Sequence, residues 1–301
     1  MKAFQGLTAA NLAFFWIASI APAAAAPITF NTALPVAEEE FIFRQQIRLL
    51  RSGSDPSAAD REMRAVASIS VLGYGINSKL AVFGVLPYVD KRFQALGLTA
   101  GTRRDNRGIG DVSAFARYIF HQNNALGRTF RLAGFAGLTA PTGADEGSDR
   151  LGLLPPPLQN GSGAWDRFGG LLATYQTLEF QLDAQLSYRD NGAANGFESG
   201  DETRLDLSWQ HRVWPRELGT GVPGFLYAVL EINMLHQRKN RANSLYDPNS
   251  GGTSAWLSPG LQYVTRRWVL EAVIQKPITQ KLNGVALEND YIFTASFRVN
   301  F

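Results

Sequence analysis

The stretch Leu178-Glu-Phe-Gln-Leu-Asp-Ala-Gln-Leu-Ser-Tyr188 separates into two faces. Leu178, Phe180, Leu182, Ala184, Leu186 and Tyr188 fall on one, and Glu179, Gln181, Asp183, Gln185 and Ser187 on the other. Only a repeat of two residues makes such faces, because successive strand side chains point to opposite sides of a sheet. Residues 204–212 repeat the pattern, with Leu205, Leu207 and Trp209 set against Arg204, Asp206, Ser208 and Gln210. Comparable segments lie at 42–50, 62–74, 79–90, 111–121, 129–140, 164–176, 225–237, 254–264, 268–276 and 290–301, for about twelve strands in all. Segments 79–90 and 164–176 alternate poorly, so the pattern leaves their facing open.

Each segment is roughly ten residues long, the length of a tilted transmembrane strand and about twice that of a soluble one. The connections sort by length. Those after odd-numbered strands, at 52–61, 91–110, 141–163, 190–201, 238–252 and 278–289, are mostly long and polar. Those after even-numbered strands, at 75–78, 123–128, 176–177 and 265–267, are tight, with 213–224 the exception. Long loops at one end and short turns at the other are the layout of an outer-membrane barrel. With the first strand rising from the periplasm, Tyr88, Tyr188 and Tyr291 fall at the outer interface. Tyr118, Phe120, Tyr175, Trp209, Tyr263, Trp268 and Phe301 fall at the inner one, which gives the two aromatic girdles of a lipid-embedded wall. The expectation is a single antiparallel transmembrane β-barrel of about 12 strands, spanning 41–301, in the outer membrane of a Gram-negative-type bacterium.

Composition removes other classes. Among 301 residues there are no Cys, so disulfide scaffolds, thiolate metal sites and Cys nucleophiles are excluded. The 29 Lys and Arg exceed the 26 Asp and Glu by three charges over the whole length, too thin an excess for a nucleic-acid partner. At the N-terminus, Lys2 precedes the apolar run Leu12-Ala-Phe-Phe-Trp-Ile-Ala-Ser-Ile20 and the small-residue stretch Ala21-Pro-Ala-Ala-Ala-Ala26. That order predicts a secretory signal peptide over 1–26, since the apolar core is about half the ~20 residues a spanning helix needs. Residues 27–40 then form a periplasmic N-terminal segment and a candidate plug.

Several stretches, taken in order, resemble one family of outer-membrane proteins described as transporters and named for the meta-cleavage pathway of phenol degradation. They are Tyr74-Gly-Ile-Asn77 with Leu86-Pro-Tyr88, Gly108-Ile-Gly-Asp111 with Ala116-Arg-Tyr118, Leu138-Thr-Ala-Pro-Thr-Gly143 and Gly161-Ser-Gly-Ala-Trp-Asp166. Gly251-Gly-Thr253, Ser258-Pro-Gly-Leu-Gln-Tyr263, Gln275-Lys-Pro277 and the closing strand complete the set. The resemblance implies an outer-membrane barrel with a transport role; it carries no substrate. The last strand, ending in Phe301, also resembles the signal that the barrel-assembly machinery reads, which makes that machinery an expected partner alongside outer-membrane lipid and lipopolysaccharide.

The functional expectation is passive passage of small solutes, aromatic or anionic ones included, with no cofactor, no metal site and no catalytic residues. The alternative is a non-conducting structural or surface-binding barrel, and a less favoured one is an outer-membrane hydrolase. His121, His211 and His236 sit on separate strands, one at the opposite end from the other two, which disfavours a shared metal. His211 lies on the outward face without a Ser well placed beside it. Arg103, Arg104 and Arg107 read as a solvated basic loop; at the cell surface such a loop also meets lipopolysaccharide phosphates. The lumen-lining charges expected are Arg44, Arg48, Arg64, Arg117, Arg131 and Arg298 on the early strands and the last. Asp183, Asp206, Glu231 and Glu271 line the opposite arc. Opposed rows of charge predict a transverse field across a low-dielectric constriction, with a tilt toward anions.

Overall fold

The computed structural model describes residues 24–97, 102–217, 221 and 224–301. The leader expected at 1–26 therefore lies, but for its last three residues, outside the described residues. The twelve strands of the wall are β1 (Phe41–Ser52), β2 (Arg61–Gly75), β3 (Leu80–Ala95), β4 (Val112–Ala125), β5 (Arg128–Ala140), β6 (Asp166–Thr177), β7 (Phe180–Asp190), β8 (Glu202–Trp214), β9 (Phe225–Gln237), β10 (Gly252–Val264), β11 (Trp268–Leu282) and β12 (Tyr291–Asn300). Each pairs antiparallel with its sequence neighbour, and β1 pairs with β12 from Ile42 opposite Asn300 to Arg51 opposite Tyr291. The sheet is closed, so no strand edge faces lipid, where an unpaired backbone group has no water to bond. Phe41 and Phe301 exchange two backbone hydrogen bonds of 2.7 and 3.0 Å and stack their rings 5.8 Å apart, which seals the seam at the end that carries the short turns. That end is periplasmic in barrels of this kind.

The two faces follow the alternation of the sequence. Leu182, Leu186, Leu205, Leu207, Leu230 and Ile232 stand outward and exposed. Their strand neighbours Gln181, Asp183, Asp206, Ser208 and Glu231 are buried inside. The few polar groups on the lipid face satisfy one another: Gln45 donates to Ser68 at 2.9 Å and accepts from Ser70 at 2.7 Å. The two weakly alternating segments now have a facing and a reason. Phe83 and Phe168 point inward, where they meet Phe115 and Phe135. Around this aromatic cluster both faces of β3 and β6 are apolar, so period two is masked there.

The long connections are built rather than loose. The expected loop 91–110 is instead mostly strand, because β3 continues to Ala95 and Thr102–Ile109 pairs with it beyond the wall. Ala193–Ala194, Phe197–Glu198, Arg241–Ala242 and Leu245–Tyr246 make a separate four-stranded sheet from two different loops. The loop at 141–163 is held over the mouth by Arg104, which points inward and bonds both carboxylate oxygens of Asp149 at 2.8 Å. That guanidinium keeps the Asp149 carboxyl below the usual carboxylate range.

Candidate functional site in the barrel lumen

Residues 24–37 do not hang below the barrel; they arch through its interior. The chain rises along β10 and β11, where Ala25 packs on Val264 and Val269 and Ile28 on Val229 and Val273. It crosses to β4, β5 and β6, where Ala33 packs on Ile119, Ala133 and Leu172. It then descends past β3, where Val36 meets Ala81 and Phe83, and leaves at the rim, where Glu39 N–H donates to the Gly75 carbonyl at 2.9 Å. Gly75 is required at this close approach, because a Cβ there would stand 2.0 Å from the Ala37 carbonyl oxygen.

An extended segment surrounded by wall cannot pair with a strand ladder, so its backbone groups must find side chains. They divide by sign. The N–H groups go to the acidic and amide wall: Ile28 N to Glu231 at 2.7 Å, Thr29 N to the same carboxylate at 3.2 Å, Asn31 N to Gln185 at 3.1 Å and Ala33 N to Thr174 at 3.0 Å. The Thr29 and Thr32 hydroxyls reach Glu231 at 2.5 Å and Asp183 at 2.8 Å. Carbonyls accept from the arginines: Ile28 O from Arg44 at 2.7 Å, Thr32 O and Leu34 O from Arg117 at 2.8 and 2.5 Å, and Ala24 O from Arg298. Gln262 does both, accepting from Ala26 N and donating to Ala26 O. The peptide dipoles thus lie between a row of arginines and a row of acids, and each is aligned with the charge it faces.

The ten lumen-lining residues expected from sequence fall into four groups. Arg44, Arg117, Arg298, Asp183 and Glu231 hold the crossing segment. Glu271 supports it from behind, paired with Arg44 at 2.5 Å and bonded to Gln262 and Ser296. Arg48, Arg131 and Asp206 share the inward register without touching the segment. Asp206 accepts from Asn233 at 2.9 Å, and Arg131 reaches Gln176 at 3.4 Å. Arg48 stands between Ala67 and the buried Thr294 on the neighbouring strands. Arg64 is the correction. It stands directly opposite Arg51 and Arg92, in register with outward Val66 and Leu72, and pairs with Glu62 at 2.8 Å. The β2 sequence alternates weakly around it, so parity read from charge alone put it on the wrong face. Sequence reading also missed Thr174, Gln185, Asn233 and Gln262, neutral residues whose inward register was their only signal.

One cavity flanks the arch and another opens at the outer mouth. The first, about 290 Å³, lies between the arch and the inner wall of β1 to β4, lined by Val71, Phe83, Val85, Phe115, Arg117 and Arg298 among others. Phe83 and Phe115 stack there with centroids 4.7 Å apart, and Arg117 caps the Phe83 ring at 4.9 Å. The other, about 500 Å³, lies at the outer mouth beneath the loops, lined by Lys91, Asp145, Asn160, Asp166, Asn191 and Asn240 among others. The histidines stand apart from both. His211 lies outward beside Trp209, ring to ring at 5.6 Å, and its cross-strand partners Phe180 and Ala228 supply no hydroxyl. His236 Nδ1 lies 2.9 Å from the Thr253 hydroxyl on the same face.

A closed twelve-strand barrel with an apolar exterior and a polar, partly filled interior defines an outer-membrane β-barrel protein. Residues 57–281 match the family model described as "Putative MetA-pathway of phenol degradation", and the chain belongs to that family. Among solved structures it is similar to the COG4313 outer membrane channel from Pseudomonas putida F1, at 14% identity and a TM-score of 0.71, over 92% of this chain and 100% of that one. A Pseudomonas aeruginosa FadL homologue matches more loosely, at 13% identity and a TM-score of 0.43, over 88% of this chain and 76% of that one. Among curated proteins none matches. At 14% identity the likeness to the COG4313 channel is one of fold, that of a closed outer-membrane-type β-barrel.

Proposed function

We propose that the barrel is a passive channel for small solutes whose inner half is closed, in the resting state, by residues 27–37, the part of the arch that follows the expected leader, acting as a plug. One observation carries this reading: the lumen is too wide for its own side chains to fill, and a strap of polypeptide crosses it on directional hydrogen bonds rather than on a continuous apolar core. Side chains alone fill barrels of about eight strands, whereas twelve enclose more space. Each such bond holds the strap by only about 1 kcal/mol net, because both partners regain water when it leaves, so the segment can be displaced without unfolding the wall. The cavity beside the strap sets the class of solute. Stacked phenylalanines and the Arg117 and Arg298 guanidinium groups in one lining suit a flat aromatic ring bearing a carboxylate or phenolate.

Planar-bilayer recording of the purified full chain tests the channel, and liposome swelling across sugars, amino acids and aromatic acids tests the solute class. Discrete conductance steps, with aromatic acids admitted ahead of sugars of equal size, are expected. A silent bilayer from a protein that remains folded would favour the second reading, a non-conducting barrel. The density of contacts on the strap is the observation that favours that alternative.

A further inference from the structure

The outward face of β1 to β3 changes character over three cross-strand rows. The first, Ile47, Ser68, Tyr88 and Ile109, is mostly apolar. The next outward row is Leu49, Val66, Asp90 and Arg107, and the third is Arg51, Arg64, Arg92 and Asp105. Three arginines therefore stand directly opposite one another on three adjacent strands. Like charges so placed destabilise a sheet, because facing Cβ atoms are only about 5 Å apart. The carboxylates within the patch offset them only in part: Asp290 pairs with Arg51 at 3.5 Å and Asp105 shares the third row, yet the arginines remain in excess by one. Glu62 is shared between Arg51 at 3.3 Å and Arg64 at 2.8 Å, and it is tucked beneath them, 19% exposed against 59% for the Arg64 side chain. Arg92 leans on Asp90 at 3.3 Å and is 60% exposed. Arg103 and Arg107 make no ion pair among the described residues. A cleft of about 180 Å³ opens between Arg64, Arg92 and Arg103.

Height identifies what meets this patch. Arg64 lies eleven residues up β2 from Gly75 at the inner rim. At about 3.3 Å per residue and a tilt near 40° that is roughly 28 Å, just beyond an apolar band about 25 Å tall. The guanidinium groups sit where the phosphorylated headgroups of the outer leaflet begin, with Leu49, Val66, Tyr88 and Ile109 below them at acyl-chain depth.

We propose that Arg64, Arg92 and Arg103, with Arg51 and Arg107 at the flanks, form a binding site for the phosphates of a lipid A-type glycolipid, an acylated glucosamine disaccharide carrying two phosphates. Forked guanidinium donors match phosphate oxygens, and the aligned apolar rows receive the acyl chains. The strand extension at Thr102–Ile109 serves both sides of the wall, with Arg104 turned inward to the loop at 141–163 and Arg103 and Arg107 turned outward to lipid.

Native mass spectrometry of the detergent-purified full chain, titrated with lipid A and with its enzymatically dephosphorylated form, tests the site. Lipid A is expected to bind at least about tenfold more tightly than the dephosphorylated lipid, and the R64Q/R92Q/R103Q variant should lose that preference while R238Q, beyond the outer end of β9 on the opposite side of the barrel, keeps it. Inorganic phosphate at millimolar concentration should not displace bound lipid A. Equal binding of the two lipids to the wild-type chain would overturn the proposal without recourse to any variant. So would retention of the preference in a folded triple variant, and so would displacement by inorganic phosphate, which would mark a simple anion patch.

Discussion

Arg117 is one of the two residues that make three hydrogen bonds to the strap, the other being Glu231, and its removal has a calculable effect. Its guanidinium donates to Asn31 Oδ1, Thr32 O and Leu34 O, and caps Phe83. Arg117→Met keeps most of the stem volume and removes all three donors. At a net ~1 kcal/mol for each bond the seated state loses about 3 kcal/mol, and at 1.4 kcal/mol per decade the unseated population rises by roughly two orders of magnitude. The chain has no cysteine, so a single Val36→Cys reports alone. Val36 is 7% exposed and packs on Ala81 and Phe83, which shields a thiol there from a charged, bulky reagent until the strap leaves. Labelling of the V36C/R117M protein should be about a hundredfold faster than that of V36C alone, with heat-modifiable gel mobility retained as proof of an intact barrel. Equal labelling rates in the two proteins would refute the argument, and so would a V36C thiol that reacts as fast as an unfolded control.

Three further outcomes follow from the same geometry. Gly75→Ala, whose Cβ would stand 2.0 Å from Ala37 O, should accelerate V36C labelling without altering any lumen charge, and an unchanged rate would show that the rim can shift to accommodate it. Arg48→Glu, in the inward register but clear of the strap, should move the reversal potential toward cations at low salt and leave V36C labelling untouched; Arg117→Glu should change both, and selectivity that ignores Arg48 would place the conduction path elsewhere. Hydrogen bonds from Arg61 hold the Asp55 carboxyl well below the usual carboxylate range. A depressed carboxylate contributes stability that is full above its unfolded value, near 3.9, and is lost only as pH falls through the folded one. The loop at 53–60 should therefore resist proteolysis equally at pH 7 and pH 5, while Asp55→Asn should be cut roughly tenfold faster at pH 7. Loosening of the wild-type loop between those two pH values would contradict this.

The wall was legible because lipid enforces it. A strand with hydrocarbon on one side must alternate if its other side is wet, and β7 and β8 show it without a break. Legibility failed where the second face was also apolar, at β3 and β6, whose inward Phe83 and Phe168 belong to the aromatic cluster. Length sorting of the loops found the two ends but not the contents of the outer one. Thr102–Ile109 carries charge on both faces, and a doubly hydrated strand has the composition of a loop. Arg64 was misplaced for a related reason: above the apolar band, charge no longer marks the inside.

The lumen was half legible for a different physical reason. The sequence exposes two rows of opposite charge, and opposed rows imply a dipolar occupant. It does not show that the occupant is the chain's own backbone, because Pro27–Val36 carries no charge and no period of its own and offers only peptide groups. Those groups are nonetheless what the rows are spaced for: acids and amides facing N–H, arginines facing C=O, each bond between a periodic strand and an aperiodic segment. A solute entering this region must therefore replace the strap's dipoles as well as fit the space. A ring bearing a single anion can take over the donors of Arg117 and Arg298 while the Glu231 side stays capped by Thr29. A neutral apolar solute would leave the arginines without acceptors, at a cost of about 1–3 kcal/mol for each buried group left unpaired. Admission of anionic aromatics ahead of their neutral analogues is the order this arrangement dictates in the swelling assay, and the reverse order would mean that the strap leaves with its arginines already hydrated.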